Sequence, residues 1–103
     1  MEDYIILERN IMDGVQKLYK FENGYGASVV KHAFSYGGGR DLWEMALIVF
    51  EPSENNELSW MIAYRDDFAN GDVAGELNDQ EVLEWLEWIQ SLEDWQSEEI
   101  EAH

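Results

Sequence analysis

Apolar and polar residues alternate from Val15 to Phe21, with Lys17, Tyr19 and Phe21 on one side and Gln16, Leu18 and Lys20 on the other. A period of two is the signature of a β-strand. Asn23-Gly24 follows and predicts a two-residue hairpin turn, because both residues tolerate positive φ. Gly26 to Tyr36 reads as the second strand, carrying Ala27, Val29, Val30, Ala33 and Phe34. Gly37-Gly38-Gly39 then breaks the pattern. Leu42 to Phe50 is the most apolar stretch, and a near-continuous apolar run of this length predicts a central strand buried on both faces. A polar turn, Glu51 to Glu57, contains the only proline. Leu58 to Tyr64 reads as a fourth strand.

The ends of the chain are less regular. Residues 1–13 form a lead with one apolar cluster (Tyr4 to Leu7, then Ile11 and Met12), compatible with a helical turn or an edge strand. Residues 65–77 read as an acidic loop with two glycines and four acids. A helix is predicted over 78–95, opened by Asn78 as N-cap with Glu81 three residues on to complete a capping box. At 100° per residue, Val82, Trp85, Leu86, Ile89, Leu92 and Ile100 fall in an arc of about 120°, the core face. Glu84, Glu87, Ser91, Asp94, Glu98 and Glu101 fall opposite. Trp88 and Trp95 lie at the edge of that acidic arc. The remaining residues, 96–103, form an acidic tail. The expected fold is α+β: one domain, with a four-stranded antiparallel β-meander over 14–64 and a C-terminal amphipathic helix packed on one face.

Composition supports a folded chain. Of its 103 residues 46% are hydrophobic and 14% aromatic, five of them Trp, unlike a disordered sequence. There is no cysteine, which excludes disulfides and thiolate chemistry. The N-terminus is acidic where a signal peptide is basic, and the longest apolar run, Met45 to Phe50, is too short to span a bilayer. A soluble, cytoplasmic protein is therefore expected. The net charge of −17 is uneven: residues 1–50 hold seven acids and five bases, whereas 51–103 hold sixteen acids and only Arg65. Direct contact with nucleic-acid phosphates or an anionic membrane is disfavoured, and a basic partner is favoured.

Little in the sequence points to catalysis. His32 and His103 are the only histidines, and neither has a nucleophile and orienting group arranged around it. The run Asp66 to Asp72 has Phe68 at position 3 and Leu77 at position 12 of a would-be calcium loop, where oxygen ligands are required. Gly37-Gly38-Gly39-Arg40 lacks the lysine and hydroxyl of a phosphate loop. No pair among the 23 acids stands out as a glycosidase-like dyad. We therefore expect no enzyme activity, cofactor or metal.

The acidic helix face remains. Carboxylates three or four residues apart are about 5–6 Å apart along a helix axis, comparable with phosphates along a nucleic-acid strand. The expected partner-binding residues are Glu84, Glu87, Trp88, Asp94, Trp95, Glu98 and Glu101. The plain alternative is a solvated face whose tryptophans pack against the sheet or the N-terminal segment.

Phe21 to Val30 (Phe-Glu-Asn-Gly-Tyr-Gly-Ala-Ser-Val-Val), then Trp43-Glu44, then Asp72 to Leu77 ahead of the Asn78-capped helix, resembles small uncharacterised bacteriophage proteins. In those a Phe-x-Asn-Gly-Tyr hairpin starts a short meander that ends in a helix. The resemblance covers roughly residues 18–92. It implies a phage-encoded protein made in a bacterial host's cytoplasm and transfers no activity or functional residue. The extension after Leu92 lies outside the pattern. The expected function is a non-enzymatic acidic protein that engages a basic surface of a host protein. That could inhibit a nucleic-acid-processing or defence system by nucleic-acid mimicry. The alternatives are an assembly protein that forms a homodimer through its helix, with Trp88 and Trp95 at the contact, and a carboxylate-based or metal-dependent hydrolase.

Overall fold

A computed structural model describes residues 1–11, 14–31, 42–50, 59–69, 71 and 73–95. After a short 3-10 turn at Glu2–Tyr4 come β1 (Ile5–Ile11), β2 (Gly14–Lys20), β3 (Tyr25–Lys31), β4 (Trp43–Phe50), β5 (Trp60–Ile62), β6 (Val73–Leu77) and one helix, α1 (Asp79–Gln90). All pairings are antiparallel, in the order β1-β2-β3-β4-β5, with β6 also on β4. The class is α+β, as the hydropathy pattern predicts, but among the described residues the sheet has six strands rather than four.

Both additional strands arise from pairing. The lead becomes β1 because β2 offers it a ladder from Ile5↔Tyr19 to Ile11↔Gly14, with one register shift between Ile5 and Leu7. β6 forms within the stretch expected to be a loop because β4 has a free edge there. β5 covers β4 from Ile48 to Phe50, and β6 covers the same edge from Trp43 to Ala46. Trp43 pairs with Leu77 and Met45 with Ala74, so Glu44 stands opposite both Gly75 and Glu76. Glu76 takes φ 58°, and this bulge masks the strand's alternation in the sequence.

β4 is central and buried on both faces, as its apolar run predicts. Met45, Leu47 and Val49 face α1, in one core with Tyr19, Phe21, Tyr25, Ala27, Val29, Val82, Leu86 and Ile89. Ile48 and Phe50 point the other way and join Leu18 in a smaller cluster, with Leu7, Ala46 and Trp60 against it. Beside that cluster a polar relay crosses three strands. Arg9 Nε donates to Gln16 Oε1 (2.8 Å) and Gln16 Nε2 donates to Ser28 Oγ (2.9 Å), so both buried polar side chains are satisfied.

Gly26 has no room for a side chain. A Cβ there would overlap the carbonyl oxygen of Tyr19 and lie 2.6 Å from the Phe50 ring. Because backbone must move to admit it, Gly26→Ala is expected to lower unfolding free energy by about 2 kcal/mol. Urea denaturation followed by tryptophan fluorescence checks this, and an unchanged midpoint would show that the β2–β3 ladder yields freely.

The hairpin between β2 and β3 differs from the expected two-residue turn. Gly24 N–H donates to Phe21 C=O (3.2 Å) and Phe21 N–H to Tyr25 C=O (2.9 Å). That is a three-residue loop closed by a left-handed glycine, Gly24 at φ 88°. Asn23 does not take positive φ; its side chain has another use. Its Nδ2 donates to the carbonyls of Ile89 (2.9 Å) and Leu92 (3.0 Å), with Gln90 at 3.4 Å, and its Oδ1 accepts from Tyr25 N–H (3.0 Å).

That amide explains where the helix stops. The expected helix over 78–95 ends at Gln90. The last carbonyls of a helix lack intrahelical donors, and here Asn23 serves as the donor. Trp95 N–H bonds to Asn23 C=O (2.8 Å), turning the chain back over the hairpin. The N-terminus follows the sequence: Asn78 Oδ1 accepts from Glu81 N–H (2.8 Å) and Glu81 Oε1 from Asn78 N–H (3.0 Å). Trp43 Nε1 donates to Asp79 Oδ1 (2.8 Å) and ties this end to β4. Among the described residues no helix is long and apolar enough to cross a membrane. His32, the triple glycine, the proline-containing turn and the 96–103 tail lie outside the described residues.

Candidate interaction surface

The outer side of α1 carries Glu81, Glu84 and Glu87, all exposed, and the helix holds no basic residue. Like charges three apart on a helix destabilise it by about 0.2–0.5 kcal/mol each. Glu81 is kept there by its capping role, but Glu84 and Glu87 add nothing to the stability of the helix that bears them.

Below these carboxylates lie the two half-buried indoles of Trp85 and Trp88, three residues apart and so on neighbouring positions of one face. Their ring centroids are 5.4 Å apart at 87°. Phe68 wedges in behind them, 4.7 Å from Trp85 and 6.1 Å from Trp88. Phe68 comes from the 65–71 turn, where Phe68 N–H bonds to Arg65 C=O (3.1 Å) and Arg65 N–H to Gly71 C=O (2.9 Å). Ala69 there takes φ 45°.

Arg65 sits beside the same cluster. Its Nε and Nη2 donate to the two oxygens of Asp67, both at 2.8 Å, and its Nη1 donates to the Tyr25 hydroxyl (3.1 Å). Its guanidinium carbon lies 5.8 Å from the Trp88 and Tyr25 ring centroids. The bond to Arg65 holds the Asp67 carboxyl below the usual carboxylate range, and the same bond raises Arg65. Between turn and helix opens a cleft of about 400 Å³ lined by Asp67, Glu81, Glu84, Trp85 and Trp88.

The residues expected to bind a partner are dispersed. Glu84 and Trp88 line the cleft, and Glu87 is on the same helix. Asp94 and Trp95 lie past the helix end, so helical spacing does not place them. Asp94 lines a separate cleft with Glu22, Asn23 and Gln90. Trp95 packs partly buried against the core, beside Gly24. Glu98 and Glu101 lie outside the described residues. Three other residues line the cleft that in sequence read otherwise: Asp67 as part of a loop, Glu81 as a cap and Trp85 as core. The Trp-x-x-Trp spacing of Trp85 and Trp88 was the available signal.

A second cavity, about 170 Å³, lies at the N-terminal end of α1 between Tyr19, Val29, Trp43 and Leu86. Lys17 and Asp79 also line it, and the Trp43 ring has Lys17 Nζ at 5.4 Å and Lys31 Nζ at 4.3 Å from its centroid. Burial, with Glu2 and Glu8 nearby, raises the Tyr19 hydroxyl pKa above its ordinary value. Among the described residues no three acidic or histidine side chains converge closely enough to hold a metal ion. Comparison with protein-family models, with curated proteins and with solved structures finds no match to this chain.

Proposed function

We propose that this protein is a non-enzymatic acidic binding protein that engages a basic surface of a partner protein through the outer face of α1. The observation that carries the reading is the run of exposed carboxylates Glu81, Glu84 and Glu87 on a helix without one compensating cation. A field of net charge −17 steers basic surfaces toward this one. The partner class that fits is a protein whose basic surface otherwise receives nucleic acid, and the phage setting implied by the hairpin makes that a host protein. Self-association through α1 is less favoured, because it would bring two such faces together.

Reversal of the face tests this. The variant Glu84→Lys/Glu87→Lys should keep its circular dichroism spectrum, since both side chains are exposed. It should lose a defined co-purifying partner that the unmodified chain retains at low salt. Retention by the unmodified chain should fall steeply as salt rises. A partner held equally by both chains, or held independently of salt, would overturn the proposal.

A further inference from the structure

We infer that the cleft between the 65–69 turn and α1 is a receptor for a single arginine side chain of the partner, an inference that rests on the binding function proposed above. Exposed carboxylates alone form a solvated face. Here they rim a cleft of about 400 Å³ whose walls are indoles, Trp85 and Trp88. An indole face attracts a cation through its quadrupole. Glu81 and Glu84, one helical turn apart on the rim, supply the counter-charge. Glu81 accepts from the Asn78 N–H and Glu84 weakly from Gln80 Nε2 (3.5 Å). Among the described residues neither carboxylate has a cationic partner.

The molecule already holds one guanidinium by this combination. Arg65 lies against the Trp88 ring and is gripped by both oxygens of Asp67. Asp67 and Tyr25 take the hydrogen bonds of Arg65, and among the described residues no ion pair links it to Glu81 or Glu84. An incoming cation meets ring and carboxylate again at Trp85 and Glu81, four residues apart on one helix face, with Glu84 also lining the cleft. Arginine suits it better than lysine, since its flat, weakly hydrated guanidinium stacks on an indole and forks to a carboxylate.

The test titrates the full ¹⁵N-labelled chain with N-acetyl-arginine amide, N-acetyl-lysine amide and the neutral isostere N-acetyl-citrulline amide, reading the five indole N–H resonances. The arginine probe should shift the Trp85 and Trp88 signals saturably and leave Trp43, Trp60 and Trp95 in place. The lysine probe should bind about threefold or more weakly, and the citrulline probe should leave all five unmoved. Glu84→Gln, an exposed change that keeps the fold, should weaken arginine binding about three- to tenfold. Equal response to citrulline, shifts spread over all five indoles, or no saturable shift would overturn the inference. If the face-reversal variant loses its partner while arginine produces no shift, the arginine receptor fails and the binding function stands. If arginine binds as expected while the reversed face keeps its partner, the receptor stands and the proposed function fails.

Discussion

Phe68→Ala is expected to lower the unfolding free energy by about 4 kcal/mol, from the loss of a buried phenyl ring and the cavity left behind. Phe68 is 0% exposed and is the largest fully buried side chain among the described residues. It also joins three parts of the molecule: the turn that carries it, the indoles of α1 and the sheet core. A domain of this size is stable by only about 5–15 kcal/mol, so the variant sits near the margin of folding. Phe68→Leu, which keeps most of the volume, should cost about 1 kcal/mol. The two differ in one contact set, and urea denaturation of each gives the difference. Equal losses for both variants, or a loss under about 1 kcal/mol for alanine, would mean that the turn does not anchor the helix.

The second large effect is expected at Asn23. Asn23→Ala removes donors from the carbonyls of Ile89 and Leu92 and an acceptor from Tyr25 N–H, all at a residue only 8% exposed. The Ile89 carbonyl keeps the Leu92 N–H (3.2 Å), but leaving the Leu92 carbonyl and the Tyr25 N–H without these partners should cost about 3 kcal/mol. Asn23→Asp is nearly isosteric and separates packing from hydrogen bonding. One carboxylate oxygen would keep the Tyr25 N–H, but the other would face the Ile89 and Leu92 carbonyls where a donor stood, and this repulsion in a buried position raises that carboxyl's pKa above its unfolded value. A raised pKa means that N23D is least destabilised at acid pH and loses further stability as pH rises through the folded-state value. Urea midpoints for N23D and the unmodified chain, compared at pH 4 and pH 7, give the sign. A gap that is equal at the two values, or wider in acid, would contradict the capping role.

These two residues also mark what the sequence could and could not disclose. The alternation of β2, the apolar run of β4 and the Asn78–Glu81 box are local signals, and each element appears where its signal lies. Phe68 gave no periodic signal, because a single ring in a polar turn is explained only by the helix it meets. Asn23 was legible as a turn residue, but its amide serves a helix end 66 residues away. The helix consequently stops at Gln90, where periodicity alone runs on to Trp95. β1 and β6 are likewise products of partners: an irregular lead and a bulged, glycine-containing stretch become strands because β2 and β4 have edges to fill. For the surface, charge patterning found Glu84 and Glu87. The cleft was hidden because one of its walls comes from a turn distant in sequence.

The way β5 and β6 divide one edge of β4 bears on aggregation. Growth of an intermolecular sheet needs a long, regular row of unpaired backbone groups. On this side the outermost strands are one of three residues and one interrupted by a bulge. On the far side β1 breaks register after Ile5 and carries Glu8 and Arg9 in its middle. Among the described residues neither border offers a smooth template, so a second copy gains little by adding its strands to this sheet.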